Sequence, residues 1–134
     1  QLNVLNPTPE MLALCQELDL ASINKRPLGS GLLTGKYSTR SEIADPQQWR
    51  QRVDFESPPV ADLFDKLEAI RDVLTRQGHT LAQGALAWIW AYDERTVPIP
   101  GFRNVAQIEE NARALELGPL SAEQMQEIDQ ILER

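Results

Sequence analysis

The chain has 134 residues, of which 42% are hydrophobic and 25% are charged, so it can form one domain or part of a larger one. Its net charge of −7 argues against a nucleic-acid partner, because proteins that bind the phosphate backbone usually present a basic surface. No apolar run is long enough to cross a membrane, and the single cysteine, Cys15, excludes a disulfide framework. With no signal peptide visible, we expect a cytoplasmic protein that binds no membrane.

The first 24 residues predict a strand, a helix and a second strand. Residues 2–5 and 20–24 are the apolar stretches that we interpret as strands, and Thr8 with Pro9 marks the start of the helix between them. The stripe that we expect this helix to bury consists of Met11, Leu14, Cys15 and Leu18. Tight connections of this kind are typical of a parallel βαβ unit.

A loop rich in glycine follows the second predicted strand and contains Gly29, Gly31, Gly35 and Lys36. Such a loop at the end of a strand indicates close approach of the backbone to a ligand, although a turn that simply has to bend explains the composition equally well. The spacing does not fit a P-loop, because no Ser or Thr follows Lys36. The polar segment 38–57 is either an ordered lid or a loop without fixed structure.

Two helices are predicted next. The first spans residues 57–76 and ends at Gly78, with His79 expected to face solvent. The second spans residues 81–92, is apolar on nearly every face and begins with a capping pair, Thr80 and Gln83. A final helix, capped by Ser121 and Gln124, ends the chain, with an expected buried stripe of Met125, Ile128 and Leu132.

Between the helix at residues 81–92 and the final helix, residues 96–112 predict a third strand at 96–99, a Pro-Gly turn and a capped helix. Asn104 is a good N-cap, with Gln107 at the reciprocal position, and Arg103 precedes the cap. A strand that leads into a helix N-terminus with an arginine beside it can bind an anion, whereas an ordinary capped surface helix fits the local pattern equally well. We expect the helix to be anchored by the apolar stripe Ile108, Ala112 and Leu115.

These segments resemble the aldo/keto reductase family. Residues 26–37 (RPLGSGLLTGKY) are similar to the loop after strand seven of that family's barrel. Residues 98–103 (PIPGFR), followed by Gln107, Glu110 and Asn111, are similar to its cofactor signature after strand eight. Both motifs stand in the family's order, and the likeness extends over almost the whole chain.

The resemblance implies an α/β fold, namely a partial (β/α)8 TIM barrel in which residues 1–134 form the C-terminal part with strands six to eight and their helices. It implies NADP as cofactor, with Arg103 and Gly101 near the adenosine 2′-phosphate and Arg103 selecting NADP over NAD. The implied cofactor-binding residues are Pro27, Leu28, Gly29, Ser30 and Lys36 on the pyrophosphate side, then Gly101 and Arg103, then Gln107, Glu110 and Asn111 at the adenine end. Arg50 or Arg52 corresponds to a further arginine of the family, and the pair Lys25-Arg26 departs from its usual pattern.

The catalytic Asp, Tyr, Lys and His of the family belong to its N-terminal half, and no residue here matches them. We therefore expect no catalytic or metal-binding residue in this chain, weak or absent NADP binding, and no reduction of a carbonyl substrate by this chain alone.

Two functions remain: the NADPH-binding part of an aldehyde or ketone reductase, or a non-catalytic half-barrel that binds nucleotide or is merely structural. Since three strands cannot close a barrel of eight, exposed edges favour a homo-oligomer.

Overall fold

The protein was analysed as a computed structural model, which describes residues 2–36 and 58–134. Its helices and strands follow one another as α1 (Pro9–Glu17), β1 (Ser22–Lys25), α2 (Pro58–Thr75), α3 (Leu81–Tyr92), β2 (Thr96–Ile99), α4 (Val105–Leu117) and α5 (Ala122–Ile131). Two short 3-10 segments, Gly29–Thr34 and Arg76–Gly78, follow β1 and α2. The expected α/β class is confirmed. Within these ranges no helix is both long and apolar enough to cross a membrane.

Strands β1 and β2 pair in parallel, although 70 residues separate them in the chain. The register aligns Ser22 with Thr96 and Lys25 with Ile99, so both strands end at the same level. Because parallel strands have their carboxyl ends at one edge, the segments that follow β1 and β2 leave the sheet side by side.

Helix α3 forms the centre of the hydrophobic core. Its residues from Leu81 to Ile89 are all buried, and the Trp88 side chain is 0% exposed. Helices α2, α4 and α5 all pack against α3, as does the 3-10 segment after β1. The crossing with α2 is closest at Gly84, where a Cβ atom would overlap the main-chain carbonyl of Leu74. This helix therefore fixes the positions of its neighbours.

The predicted strand at residues 2–5 is wrong. The chain reverses there, because the main-chain groups of Asn3 and Asn6 bond to each other, and the Asn3 side chain accepts from the Leu5 N–H at 3.1 Å. Those main-chain groups are then not available to a strand ladder. The segment still lies beside β1, since the Asn24 side chain accepts from the Leu2 N–H at 2.8 Å and donates to the Leu2 carbonyl. A side-chain amide thus takes the place of a main-chain pairing, and the described sheet has two strands instead of three.

The apolar stripes predicted for α1 and α4 are also wrong. In α1 the buried residue is Leu12, whereas Met11, Leu14 and Leu18 are exposed and Cys15 is half-buried. In α4 the buried residue is Ala114. Its predicted stripe of Ile108, Ala112 and Leu115 faces solvent, with Leu115 68% exposed. Both helices do have an apolar face, but no element among the described residues covers it.

The remaining predictions mostly agree with the structure. The capping boxes of α3 and α5 are both formed, and Ile128 is buried with Met125 and Leu132 packed partly against the core. His79 is an exception, because it is only 6% exposed and its Nδ1 has no hydrogen-bond partner among the described residues. The segment 38–57, with Arg50 and Arg52, lies outside the described residues.

Gly84 provides a test of the α2–α3 crossing. Replacing glycine with alanine inside a helix normally stabilises it by about 0.5–1 kcal/mol. We expect Gly84→Ala instead to lower the free energy of unfolding by about 2 kcal/mol, because the added methyl group forces α2 away from α3. The measurement is urea unfolding followed by tryptophan fluorescence. Gly101→Ala is the control, as a Cβ there meets no atom within 4 Å, and a stabilised Gly84→Ala variant would contradict the close crossing.

Candidate functional site

A cleft of about 520 Å³ opens where β1 and β2 end. The loop after β1 forms one wall, the turn after β2 and the first turns of α4 form the other, and Ala82 of α3 contributes from below. The residues that line it are Arg26, Pro27, Leu28, Ser30, Gly31, Thr34, Lys36, Ala82, Ile99, Gly101, Phe102, Arg103, Gln107, Glu110 and Asn111. The parallel pairing of the strands is what brings the two walls together.

Nine of the ten residues named from the sequence line this cleft, namely Pro27, Leu28, Ser30, Lys36, Gly101, Arg103, Gln107, Glu110 and Asn111. The tenth, Gly29, does not line the cleft, and its α-carbon faces the side chains of Leu32 and Leu33. Sequence reasoning missed Ala82, which reaches the cleft only through the packing of α3. It also did not name five residues that lie within the quoted motifs 26–37 and 98–103, namely Arg26, Gly31, Thr34, Ile99 and Phe102.

The wall after β1 is built from unusual backbone conformations. Arg26 and Ser30 have φ values of 57° and 58°, and Gly29, Gly31 and Gly35 are also left-handed. The turns are closed by main-chain bonds from Gly29 to the Arg26 carbonyl and from Gly31 to the Leu28 carbonyl, at 3.0 and 2.8 Å. A left-handed conformation costs an ordinary residue about 1–2 kcal/mol. Backbone strain of this kind is concentrated at functional sites, so it favours a ligand-binding loop over a simple bend.

The wall after β2 ends in the N-terminus of α4. The Asn104 side chain caps the helix by accepting from the Gln107 N–H at 2.9 Å. Gln107 was expected to complete a reciprocal pair with Asn104, but its Oε1 accepts from the Arg103 N–H instead, at 2.8 Å. The bond fixes the main chain of Arg103 directly beside the cleft.

The charges around the cleft contrast with those of the whole protein. Arg26, Lys36 and Arg103 line it together with one carboxylate, Glu110, in a chain whose net charge is −7. The positive end of the α4 dipole adds to this cluster. Three cations that line one cleft beside a helix N-terminus, in an otherwise acidic protein, favour the binding of a small anionic ligand in that cleft.

Among the described residues, Tyr92 is poorly suited to donate a proton. Burial raises the pKa of Tyr92, which stacks on Trp88 with a ring-centroid distance of 4.6 Å, and a proton donor needs the opposite shift. Across residues 2–36 and 58–134, no group of three or more His, Cys, Asp or Glu side chains could hold a metal ion. The cationic and polar side chains that line the cleft suit the binding of an anionic ligand.

Comparison with known proteins shows the family to which the chain belongs. The sequence model of the aldo/keto reductase family matches residues 1–133. The chain belongs to this family.

The chain is also similar to several curated members of the family. It is 34% identical over 117 residues to the chloroplastic pyridoxal reductase of Arabidopsis thaliana. The aligned segment covers 87% of the chain and 30% of that protein. It is 28% identical over 116 residues to an aldo-keto reductase of Schizosaccharomyces pombe whose name specifies NADP(+), covering 87% of the chain and 34% of that protein. A probable pyridoxal reductase of the same yeast is 30% identical over 132 residues, covering 92% and 38%. The chain spans about a third of the length of the relatives it matches.

The strained loop can be tested at Ser30. We expect Ser30→Gly to raise the free energy of unfolding by up to about 1 kcal/mol, because glycine adopts a φ of 58° without a Cβ clash. The matched control is Ser121→Gly, at φ −70° and with its hydroxyl accepting from the Gln124 N–H, which we expect to lose a few tenths of a kcal/mol. Urea unfolding measures both, and a destabilised Ser30→Gly variant would contradict the assigned strain.

Proposed function

We propose that this chain is the NADP-binding part of an aldo/keto reductase barrel. The observation that carries the proposal is the meeting of the two predicted loops around one cationic cleft at the carboxyl ends of adjacent parallel strands. Ligands of barrel enzymes bind at that end of the strands. A partial (β/α)8 barrel, namely its C-terminal part with strands six to eight, is the architecture that goes with this function. A cytoplasmic location also goes with it.

Each wall of the cleft is assigned one part of the cofactor. Pro27, Leu28, Gly29, Ser30 and Lys36 belong to the wall after β1, which is assigned to the pyrophosphate. Gly101 and Arg103 are assigned to the adenosine 2′-phosphate, because a planar guanidinium can donate two parallel hydrogen bonds to phosphate oxygens. Gln107, Glu110 and Asn111 lie further along α4 and are assigned to the adenine end. The donor set fits the group, since two phosphate-bearing parts meet three cations and a helix N-terminus.

The chemistry of the complete enzyme is the reduction of an aldehyde or ketone. NADPH, when bound, supplies hydride to the carbonyl carbon of the substrate. This chain contributes binding and orientation, and the proton donor and its partners come from barrel segments outside these 134 residues. The chain alone therefore turns over no aldehyde.

Arg103 provides the test of the cofactor assignment. We expect Arg103→Ala to weaken binding of adenosine 2′,5′-bisphosphate by about 1.5–3 kcal/mol, the usual size of a charged hydrogen bond, and to leave binding of 5′-AMP almost unchanged. Isothermal titration calorimetry measures both ligands. Arg113→Ala removes the same charge from within α4, at a residue that does not line the cleft, and serves as the control. Equal affinity for the two ligands before and after Arg103→Ala would overturn the assignment.

The alternative function is a non-catalytic half-barrel that associates with itself. The observation in its favour is the apolar surface of the sheet, where Ile23, Val97 and Ile99 are 75%, 53% and 55% exposed. The uncovered faces of α1 and α4 add Met11, Leu14, Ile108 and Leu115 to the exposed apolar surface. Apolar surface of this extent usually marks an interface. A second copy of the chain would cover it through a symmetric contact that also pairs the free strand edges.

Self-association can be measured by sedimentation velocity over a range of concentrations. We expect a dimer, and we expect Val97→Lys to raise its dissociation constant at least tenfold, because a charge would be placed at the centre of an apolar contact. Val97 is already exposed, so the substitution should leave the fold intact. Ile131→Lys is the control, since Ile131 is exposed on α5, which packs against α2 and α3. A monomer at all concentrations would contradict this function.

A further inference from the structure

Gln83 makes hydrogen bonds in two directions at once. Its Oε1 accepts from the Thr80 N–H at 3.0 Å, which completes the capping box of α3. Its Nε2 donates to the main-chain carbonyl of Glu110 in α4, at 3.1 Å. Gln83 is only 6% exposed, and both bonds are partly buried. One amide therefore caps the N-terminus of its own helix and donates a hydrogen bond to the neighbouring helix.

The carbonyl that Gln83 binds belongs to the helix that carries half of the cleft. Glu110 and Asn111 line the cleft, and Gln107, one turn earlier, fixes the Arg103 main chain. Ala82, which precedes Gln83 in the sequence, also lines the cleft. The position of the α4 N-terminus relative to the loop after β1 thus depends on how α4 sits on α3 at this bond.

A second glutamine repeats the arrangement away from the cleft. The Oε1 of Gln124 accepts from the Ser121 N–H at 3.1 Å, and its Nε2 donates to the Val73 carbonyl of α2 at 3.0 Å. Gln124 is 2% exposed and joins α5 to α2. None of these residues lines the cleft. The chain therefore offers two equivalent links between helices, of which one supports the candidate site.

We propose that Gln83 is a positioning residue for the nucleotide cleft, holding α4 where Arg103 can reach the 2′-phosphate. The proposal rests on the proposed function, in which the cleft binds the phosphate end of NADP. Gln83 touches no part of the ligand and acts through the Glu110 carbonyl. A displacement of α4 moves the Arg103 turn together with Glu110 and Asn111 at the adenine end. The paired hydrogen bonds from a guanidinium to a phosphate depend most steeply on geometry, so recognition of the 2′-phosphate changes most.

The experiment compares Gln83→Glu with Gln124→Glu in the 134-residue chain. In both variants a carboxylate oxygen still accepts from the capping N–H, but the oxygen that replaces Nε2 faces a carbonyl and repels it. Affinities for adenosine 2′,5′-bisphosphate and 5′-AMP are measured by calorimetry, and urea midpoints report the stability of each variant. We expect Gln83→Glu to lower affinity for the bisphosphate about tenfold and to reduce the preference for it over 5′-AMP. Gln124→Glu should change both by less than twofold at a similar loss of stability.

The outcomes separate the two proposals. If the unaltered chain shows no preference for the bisphosphate over 5′-AMP, the proposed function fails, and the role of Gln83 fails with it. If the unaltered chain has that preference and Gln83→Glu retains it, or Gln124→Glu loses it equally, the proposed function stands and the positioning role is overturned. Should Gln83→Glu not fold, Gln83→Met and Gln124→Met form the same comparison without the added repulsion, and the same results decide.

Discussion

The parallel pairing of β1 with β2 is the constraint on which the rest of the structure depends. Strand residues advance about 3.3 Å each, so a register shift of two residues would separate the ends of the two strands by roughly 7 Å. In the observed register Lys25 stands opposite Ile99, and the loops that follow start at the same level. In this register Arg26 and Lys36 of one wall and Arg103 of the other line the same cleft. A four-residue ladder thus determines where the cationic groups of an acidic chain converge.

Helix α3 supports this arrangement without supplying a charged group to it. Its buried faces contact α2 at Gly84 and α4 at Gln83, while Ala82 reaches the cleft. The main-chain carbonyl of Ala87 also accepts from the Leu120 N–H at 3.3 Å, which ties down the chain after α4. Because so many partners contact one helix, its sequence tolerates little change in volume on any side. The near absence of polar residues between Leu81 and Tyr92 follows from this position in the fold.

The parts of the fold that the sequence predicted are those decided within a few residues. The capping boxes at Thr80 and Ser121 depend on hydrogen bonds between residues three apart, and both were predicted correctly. The stripe predicted for α4 failed for a different reason. Amphipathicity tells which face of a helix is apolar, but not whether the chain holds anything to cover it. His79 and Ala82 were misjudged because tertiary packing, which no local pattern encodes, determines their surroundings.

The proposed cofactor binding and the burial of the exposed apolar faces require different numbers of strands. Recognition of a phosphate-bearing end needs only two neighbouring loops, because cations and free N–H groups act over a few ångströms. A closed barrel core needs contributions from all eight strands, since the side chains inside it fill layers drawn from alternate strands. Ile23, Val97 and Ile99 are exposed on the sheet of two described strands, whereas the segments that follow β1 and β2 already meet around the cleft. The site can therefore be local to two strands even where the core around those strands is not.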